Sequence, residues 1–319
     1  MANGLITIFG GSGFIGRHLM RRLTAKGYRI RLASRDPEDA TDLMTQGSVG
    51  QIVGLKTNVR NQASVERAVR GSDIVINLVG ILYESGAQTF GAVHVDAAER
   101  IAKASKQAGV RHLIHMSALG ADRAHEAGYA RSKAVGEELA ATEFPGATIL
   151  RPAVVFGRDD DFFNRFARIL ALSPAFPLVD GGKMKMQPVW VQDLAEAILR
   201  IIETPDQQGK TWEFTGPDIY SLRDLMSKIL DATGRKCLLL PVPAGVMSVM
   251  AFFMGLIPGR PPLTTDQVKL LKVDNVASGQ YPNLADLGIT AGRIDAIVPQ
   301  YLQRYKKGGG YQSALPDQP

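Results

Sequence analysis

The chain has 319 residues, of which 45% are hydrophobic and 21% charged, a composition that is typical of a globular protein able to bury a large core. Its 37 Lys and Arg residues against 31 Asp and Glu give a formal net charge of +6, but the basic residues form no long run, and we expect no nucleic-acid partner. A solvated basic surface explains this charge, with a polyanionic partner or a membrane surface as the alternative. The single cysteine, Cys237, excludes an intramolecular disulfide and a cysteine-only metal cluster.

The N-terminus leads directly into an apolar segment, with no basic stretch, signal region or cleavage site before it. We therefore expect a cytoplasmic protein. The uncharged segment Val242–Ile257 is shorter than the roughly eighteen apolar residues of a membrane-spanning helix. It is either a core helix or a helix that faces a partner or a membrane, and in the latter case the protein is peripheral on the inner face of the cytoplasmic membrane.

The N-terminal half alternates between strand-like and helix-like segments, as βαβ units do. This rhythm predicts an α/β fold with a Rossmann-type, doubly wound parallel sheet. The predicted strands are Leu5–Phe9, Arg29–Ala33, Gln51–Leu55, Ile74–Leu78, His112–Met116 and Thr148–Leu150. The predicted helices are Phe14–Ala25, Ser64–Val69, Gly91–Ala108 and Tyr129–Thr142.

Beyond Pro152 the pattern becomes irregular, because prolines and glycines such as Pro174, Pro177 and Gly181 divide the chain into short pieces. We expect a Rossmann core over residues 1–157. Residues 158–305 would complete the core and form a smaller, irregular C-terminal subdomain for a substrate or partner. The polar residues 306–319, rich in glycine and proline, predict a flexible tail.

A glycine-rich turn between the first strand and the first helix is the clearest chemical signal. Gly10, Gly13 and Gly16 are spaced so that a pyrophosphate meets the helix N-terminus, where glycine permits unusual backbone angles and close approach. In this strand-turn-helix setting the pattern predicts a dinucleotide site. The other residues of this turn assigned to the cofactor are Ser12, Phe14, Ile15 and Arg17.

The end of the second strand indicates which dinucleotide is bound. NAD-specific folds place an acidic residue there, whereas this chain has Ser34 and Arg35. A guanidinium suits a 2′-phosphate, and Arg17 could add a second positive charge, so we predict NADPH or NADP⁺. In the alternative, Asp36 takes the acidic role, Arg35 points to solvent and the cofactor is NAD.

These motifs resemble the extended and atypical short-chain dehydrogenases/reductases, which are related to the NAD-dependent epimerases and dehydratases. The matching pieces span most of the first two hundred residues in the family's order. They are FGGSGFIG (residues 9–16), NLVG (77–80), YARSK (129–133), RPAVVFG (151–157) and PVWVQDLAEAI (188–198).

The resemblance implies catalytic roles for Tyr129 and Lys133, which lie four residues apart and so on one face of a helix. Tyr129 would exchange a proton with the substrate, and Lys133 would lower the pKa of Tyr129 and hold the nicotinamide ribose. The third catalytic residue of active relatives is a Ser or Thr at or just beyond the end of the fifth strand. Ser117 is the hydroxyl available there in this chain, but by its place in the run Leu119 occupies the position that would hold the substrate oxygen. The resemblance also implies cofactor contacts from Asn58, Val79, Gly80, Tyr129, Lys133 and Pro152.

A narrower resemblance is to the nucleotide-binding accessory subunit of respiratory complex I, the alpha-subcomplex subunit nine family, and its bacterial relatives. The cues are HMSALGAD (115–122), the run from Tyr129 to Ala167 and the basic, proline-rich loop near Gly255–Thr265. Members of that branch are similar to one another in that they hold NADPH beside the membrane arm of the complex. Other relatives are linked to ubiquinone biosynthesis. The implied partners are respiratory-complex or quinone-pathway proteins at a membrane surface, where Arg260, Lys269 and Lys272 could meet anionic head groups.

Other polar residues have structural explanations. The five histidines show no spacing suited to a metal site, and we expect none. The run Asp159–Asp161 precedes a predicted helix, Phe162–Leu172, and is interpreted as its cap. Asp193 is interpreted as structural.

Three functions are consistent with the sequence. The first is an NADPH-binding protein with a structural or assembly role in a complex I-like or quinone-linked membrane complex. The second is an active NAD(P)H-dependent reductase, epimerase or dehydratase, with ubiquinone biosynthesis as one setting. The third is a redox sensor whose partner surface responds to nucleotide occupancy.

Overall fold

The structure is a computed structural model that describes residues 3–38, 41–255 and 263–309. Ile257, Arg260 and most of the predicted tail lie outside the described residues, as does the centre of the Gly255–Thr265 loop. The chain divides into two compact units, each built from three segments. The first unit comprises residues 1–152, 191–214 and 278–290, and the second comprises 153–190, 215–277 and 291–319. The chain returns to the first unit twice beyond residue 157, within the region 158–305 that was expected both to complete the core and to form the C-terminal subdomain.

The strands and helices are numbered in chain order. The strands are β1 (Asn3–Phe9), β2 (Tyr28–Ser34), β3 (Ile52–Lys56), β4 (Ile74–Asn77), β5 (His112–Met116), β6 (Thr148–Pro152), β7 (Val155–Phe156), β8 (Ala175–Val179), β9 (Lys185–Met186), β10 (Val189–Trp190), β11 (Thr211–Phe214), β12 (Tyr220–Ser221) and β13 (Leu238–Val242). The α-helices are α1 (Phe14–Ala25), α2 (Thr41–Met44), α3 (Gln62–Val69), α4 (Asp96–Gln107), α5 (Gly128–Glu143), α6 (Phe163–Leu172), α7 (Val191–Glu203), α8 (Leu222–Thr233), α9 (Ala244–Gly255), α10 (Thr265–Leu270) and α11 (Ile294–Leu302).

The first unit is built on a parallel sheet whose order, within the described residues, is β11-β6-β5-β4-β1-β2-β3. Strand β4 is buried along its whole length, as expected for a parallel sheet covered on both faces. Helices α1 and α7 pack together, and α3, α4 and α5 pack as another layer. The Rossmann-type α/β fold predicted from the sequence is therefore confirmed.

The predicted elements of the N-terminal half are confirmed, with small shifts at their ends. Strand β5 and helix α1 have the predicted bounds. The predicted helix Gly91–Ala108 differs in kind, because its first turn, Gly91–Val95, is a π-helix that continues into α4. His94 lies in this π turn, and π turns inside helices are frequent at functional sites.

The second unit has a core of aromatic and aliphatic side chains and three short strand pairs, β7 with β10, β8 with β13 and β9 with β12. Its buried core includes Phe156, Phe163, Leu225, Ile229 and Val298. Helix α6 begins at Phe163, one residue after the predicted start, and its N-cap Phe162 makes no side-chain cap hydrogen bond. The acidic run still contributes, because the Asp160 carboxylate accepts the N–H of Asn164 in the first turn of α6 and that of Gly157 in the preceding loop. Within the described residues, no helix is long and apolar enough to cross a membrane.

Candidate dinucleotide site

The residues assigned to the cofactor lie at one edge of the main sheet. Most of them lie at or just after the carboxyl end of a parallel strand, and the carboxyl edge of an open α/β sheet is where such folds bind ligands. The structure places the glycine turn after β1, Ser34 at the end of β2, Asn58 after β3, Val79 and Gly80 after β4, Ser117 after β5 and Pro152 at the end of β6.

The three glycines of the turn have three different structural requirements. Gly10 has φ +74°, and a Cβ there would lie 3.0 Å from the backbone carbon of Leu78. A Cβ on Gly16 would lie 2.3 Å from the carbonyl oxygen of Gly11, so only glycine allows helix α1 to start this close to the strand. Gly13 is exposed, and its Cβ position approaches only the carbonyl oxygen of Gly10, at 3.2 Å. Gly13 thus leaves a bare surface that a phosphate can approach.

The N-terminus of helix α1 is open to an anion. Its N-cap is Gly13, no side chain caps the helix and no acidic residue lies in its first turn. The N–H groups there therefore lack a side-chain acceptor, and the helix dipole adds a positive potential. This arrangement fits a pyrophosphate.

The two arginines near the turn differ in their contacts. Arg17 donates from Nε to the carbonyl oxygen of Ser12 at 2.9 Å, and its Nη1 lies 2.5 Å from an Asp42 carboxylate oxygen. The Asp42 carboxylate therefore offsets much of the positive charge that Arg17 was expected to offer the cofactor. Arg35 is exposed and forms no hydrogen bond or ion pair with the described residues. Ser34 lies beside the turn, with its Oγ 3.5 Å from Ser12 Oγ.

Lys133 reaches the same edge from helix α5. Its side chain is buried, its Nζ donates to the Met116 carbonyl oxygen at 3.1 Å, and a Cβ on Gly80 would lie 3.2 Å from that Nζ. The ammonium thus lies between the ends of β4 and β5. Burial lowers the pKa of Lys133 to about 8.

Tyr129 lies one helical turn before Lys133 and is half-buried. Its ring meets the rings of Phe90 and His94 edge-on, at centroid distances of 6.0 Å and 5.4 Å. Burial raises the pKa of Tyr129 to about 12, so the phenol remains protonated at neutral pH. Lys133 directs its ammonium toward the Met116 carbonyl oxygen, and its effect on the pKa of Tyr129 in the occupied site stays a prediction.

Ser117 and Leu119 lie in the segment after β5. Ser117 is buried, and its Oγ has no hydrogen-bond partner among the described residues. Its backbone N–H donates to the Leu150 carbonyl oxygen at 2.7 Å, and that of Leu119 donates to Pro152 at 2.9 Å. A buried hydroxyl without a hydrogen-bond partner is unsatisfied, and a hydrogen bond to a bound group would satisfy it. Together with the bare Gly13 and the uncapped helix, it fits a dinucleotide.

His94 connects two parts of the site, a role that the sequence analysis missed. Its Nε2 accepts the Ile81 N–H at 3.0 Å, so the neutral ring carries its proton on Nδ1, which lies 2.9 Å from Ser132 Oγ. Ser132 Oγ in turn donates to the Tyr129 carbonyl oxygen at 2.8 Å. Burial, and secondarily the charge of Lys133, lowers the pKa of His94 to about 2, so the ring stays neutral. The loop after β4 is thereby tied to the first turn of α5.

A second buried pair shapes the end of β4. Asn77 donates from Nδ2 to His115 Nδ1 at 3.1 Å, and its Oδ1 accepts the Val79 N–H at the same distance. Burial lowers the pKa of His115 to about 3. The backbone that carries Val79 and Gly80 is therefore fixed by side chains of two neighbouring strands.

Helix α5 is held against its neighbours at two further points. Gly136 packs so closely on the π-helix that a Cβ would lie 2.0 Å from the His94 carbonyl oxygen. On the other side, Arg151 forms a bidentate pair with Glu137, at 2.5 Å and 3.0 Å. These contacts set the height of Tyr129 and Lys133 above the sheet edge.

Asn58 lies at the rim of this edge. It is exposed, and its Oδ1 accepts the Arg60 N–H at 3.0 Å, which closes a local turn before α3. Pro152 is buried and pairs with Phe214 of β11. Both residues lie on the predicted edge; their contact with a cofactor stays a prediction.

Comparison with known proteins identifies the class. The model of the NAD dependent epimerase/dehydratase family matches residues 6–214, and the chain belongs to this family. Within it, the chain is homologous to a respiratory subunit. It is 37% identical over 302 residues to NADH dehydrogenase (ubiquinone) 1 alpha subcomplex subunit 9, mitochondrial, of Rattus norvegicus, an alignment that covers 94% of this chain and 80% of the relative.

One more distant relative and one solved structure of the same fold have names that denote enzymes. A ceramide reductase of Caulobacter vibrioides is 27% identical over 245 residues, covering 76% of this chain and 74% of the relative. The crystal structure of an NADPH-dependent quinone oxidoreductase of Escherichia coli, complexed with NADPH, superposes with a TM-score of 0.73 at 20% identity. That match covers 93% of this chain and 99% of the other, and at this identity it shows a shared fold.

Proposed function

We propose that this protein holds NADPH at the carboxyl edge of its first unit and has a structural or assembly role in a complex I-like or quinone-linked membrane assembly. The observation that carries the proposal is the extent of the homology. The identity of 37% to the rat respiratory subunit runs over 94% of the chain and therefore includes segments of both units. The ceramide reductase is less similar and covers 76% of the chain.

In this proposal the chain's own groups hold NADPH, which when bound carries a transferable hydride. The N–H groups at the start of α1 and the bare Gly13 bind the pyrophosphate, and Arg35 with Ser34 binds the 2′-phosphate. Lys133 and Tyr129 bind the nicotinamide ribose. Further contacts come from Gly10, Ser12, Phe14, Ile15, Gly16, Arg17, Asn58, Val79, Gly80, Ser117 and Pro152.

The side chain of Leu119 supports holding over turnover, since it offers no hydroxyl to a substrate oxygen. Burial raises the pKa of Tyr129 to about 12, so the phenol is protonated at neutral pH and donates a hydrogen bond. A protonated Tyr129 is compatible with both candidate functions, because a reductase needs a proton donor at the substrate oxygen.

The first test is to purify the protein without added nucleotide, pass it through extended gel filtration and quantify what remains bound. We expect near-stoichiometric NADPH, because a structural cofactor dissociates slowly. Protein that emerges empty and binds NADPH with rapid exchange contradicts a structural role. In cells that require the protein, Tyr129→Phe is expected to preserve function and Arg35→Glu to impair it. Loss of function in a normally folded Tyr129→Phe variant would defeat the proposal.

The second candidate is an NADPH-dependent reductase, and the Tyr129/Lys133 pair on one face of α5 favours it. The pKa of Lys133, lowered to about 8, leaves this group able to exchange a proton near neutral pH. The test is NADPH oxidation in the presence of quinone-pathway intermediates and long-chain ketones. Turnover that Tyr129→Phe abolishes would favour this candidate, and its absence across the panel counts against it.

A further inference from the structure

The second unit exposes an apolar surface that no part of the site uses. We define it by the exposed side chains of β13 and α9, namely Leu238, Leu240, Val246, Val249, Met250, Phe252 and Phe253. We propose that this apolar surface docks onto an anionic phospholipid bilayer. The inference deepens the proposed function, on which it rests for a membrane setting, by naming the lipid as a direct partner.

Helix α9 is apolar on both of its faces. Val246, Val249, Met250 and Phe253 follow the i, i+3, i+4, i+7 spacing of one face and are exposed. The opposite face is buried through Met247 and Ala251, which pack with Val179 and Val268. A helix at a protein surface ordinarily carries polar residues on its outer face, so the outer face of α9 needs an apolar environment.

The two phenylalanines are the strongest part of this surface. Phe252 is 58% exposed and Phe253 is 62% exposed, and their rings meet edge-on at a centroid distance of 5.7 Å. Leu238, at 63%, extends the surface along β13. Removing such rings and branched chains from water is favourable by about 25 cal/mol per Å² of apolar area.

The flanking charges fit an anionic lipid. From Cys237 to Gly259 the sequence has no charged residue. The charges on either side in the sequence are Arg235 and Lys236 before it and Arg260 after it. In space, the exposed Asp180 carboxylate lies at the start of α9, where its Oδ1 accepts the Ala244 N–H at 3.0 Å. An apolar stretch bordered by basic residues is the pattern of a segment that lies in the interface of an anionic bilayer.

A bilayer fits this surface better than a protein partner does. Ser248 is the one polar residue in the sequence of α9, and its hydroxyl donates to the Ala244 carbonyl oxygen of the same helix at 2.9 Å. The outer face thus offers no side-chain hydrogen bond, whereas protein interfaces form about one for every 100–200 Å². Helix α9 has 12 residues, which is too short to cross a bilayer, so it would lie in the plane of the head groups.

The test is flotation of the full-length protein with vesicles of phosphatidylcholine alone or mixed with phosphatidylglycerol. We expect the wild type to float with the mixed vesicles. A variant with Phe252→Ser and Phe253→Ser should bind them about tenfold less, since the two rings supply much of the apolar area. Lys236→Glu should weaken binding to the mixed vesicles by about tenfold and leave phosphatidylcholine binding unchanged. Val49→Ser, at a fully exposed side chain of the first unit, is the matched control and should bind as the wild type does.

A second measurement covers the case in which the double serine variant fails to fold. In Phe252→Trp, the new indole should shift its emission to the blue with mixed vesicles, and brominated lipid should quench it. A wild type that remains unbound with both kinds of vesicle overturns the inference, as does a folded double serine variant that binds like the wild type. Concentration-dependent dimerisation that this variant abolishes, without vesicle binding by the wild type, would assign the surface to a second copy instead. Bound NADPH is quantified in the same preparations, so a failure of lipid binding is distinguished from a failure of nucleotide binding.

Discussion

His94 and Ser132, which are 38 residues apart in the chain, share a buried hydrogen bond of 2.9 Å between Nδ1 and Oγ. Because the Ile81 N–H donates to Nε2 of the same ring at 3.0 Å, His94 bridges the loop after β4 and the first turns of α5. Any ligand that contacts both Gly80 and Tyr129 therefore meets a surface whose two halves are already aligned, and preorganisation of this kind strengthens binding.

Replacing His94 tests this coupling. His94→Leu removes the partners of the Ile81 N–H and the Ser132 hydroxyl, which should cost about 2 kcal/mol of folding free energy. We also expect about tenfold weaker NADPH binding by the folded protein, measured by calorimetric titration. His112→Leu is the matched control, since His112 is another buried histidine, bonded to Thr148 at 2.8 Å at the opposite end of β5. If both variants bind NADPH with wild-type affinity, His94 has only a structural role.

Lys133 is expected to lower the free energy of unfolding of the nucleotide-free protein, although it contributes to nucleotide binding. Its pKa is about 8 in the folded protein against 10.5 in the unfolded chain, so the unfolded state binds more protons between these values and stability rises with pH there. At pH 7 the buried ammonium costs about 3 kcal/mol, and Lys133→Met should stabilise the nucleotide-free protein by about 2 kcal/mol after loss of the Met116 bond.

Urea denaturation at several pH values checks this prediction. The advantage of Lys133→Met should shrink as the pH rises from 8 to 10.5, because over that range the folded wild type has released the Lys133 proton while the unfolded chain still binds it. NADPH binding should weaken in the same variant. A stability difference that does not change with pH would show that the pKa of Lys133 is the same in the folded protein as in the unfolded chain.

Gly136 is predicted to tolerate no side chain. A Cβ there would lie 2.0 Å from the His94 carbonyl oxygen, so Gly136→Ala should force the π-helix away from α5 and destabilise the protein by about 3 kcal/mol. Gly245→Ala, within α9, meets nothing within 4 Å and should be neutral or slightly stabilising. Thermal unfolding compares the two. Equal melting temperatures would mean that the contact is looser than the structure describes.

Nucleotide preference should depend on Arg35. Arg35→Ala is expected to weaken NADPH binding by at least about tenfold and to leave NADH binding nearly unchanged, since only NADPH carries the 2′-phosphate. Binding is followed by nucleotide fluorescence. Should Asp36→Ala weaken NADH binding while Arg35→Ala leaves NADPH binding intact, then Asp36 is the selecting residue and NAD is the preferred cofactor.

The sequence predicts the first unit well because its signals are local. The helix Phe14–Ala25 and the strand His112–Met116 follow from periodicity and flanking glycines, and the structure confirms both. The glycine spacing likewise predicts where a phosphate could approach. These features depend on residues that are close together in the chain.

Features that depend on distant residues were not predicted. Nothing near His94 indicates that its ring bonds to Ser132, and a π turn has no periodicity of its own to mark it. Strand β11 pairs with β6 across an interval that includes a segment of the second unit, so no local pattern places Thr211–Phe214 in the main sheet. The pKa of Tyr129 also follows from burial, which only the folded chain defines.

The discontinuous first unit has a consequence for synthesis on the ribosome. Strand β6 ends at Pro152, but the strand that covers its outer edge, β11, ends at Phe214, after the chain has passed through residues 153–190 of the second unit. A nascent chain therefore carries β6 as an open sheet edge until Phe214 has left the exit tunnel. Open edges pair with strands of other chains, so slow translation or premature termination in this interval should favour aggregation and increase the need for chaperones.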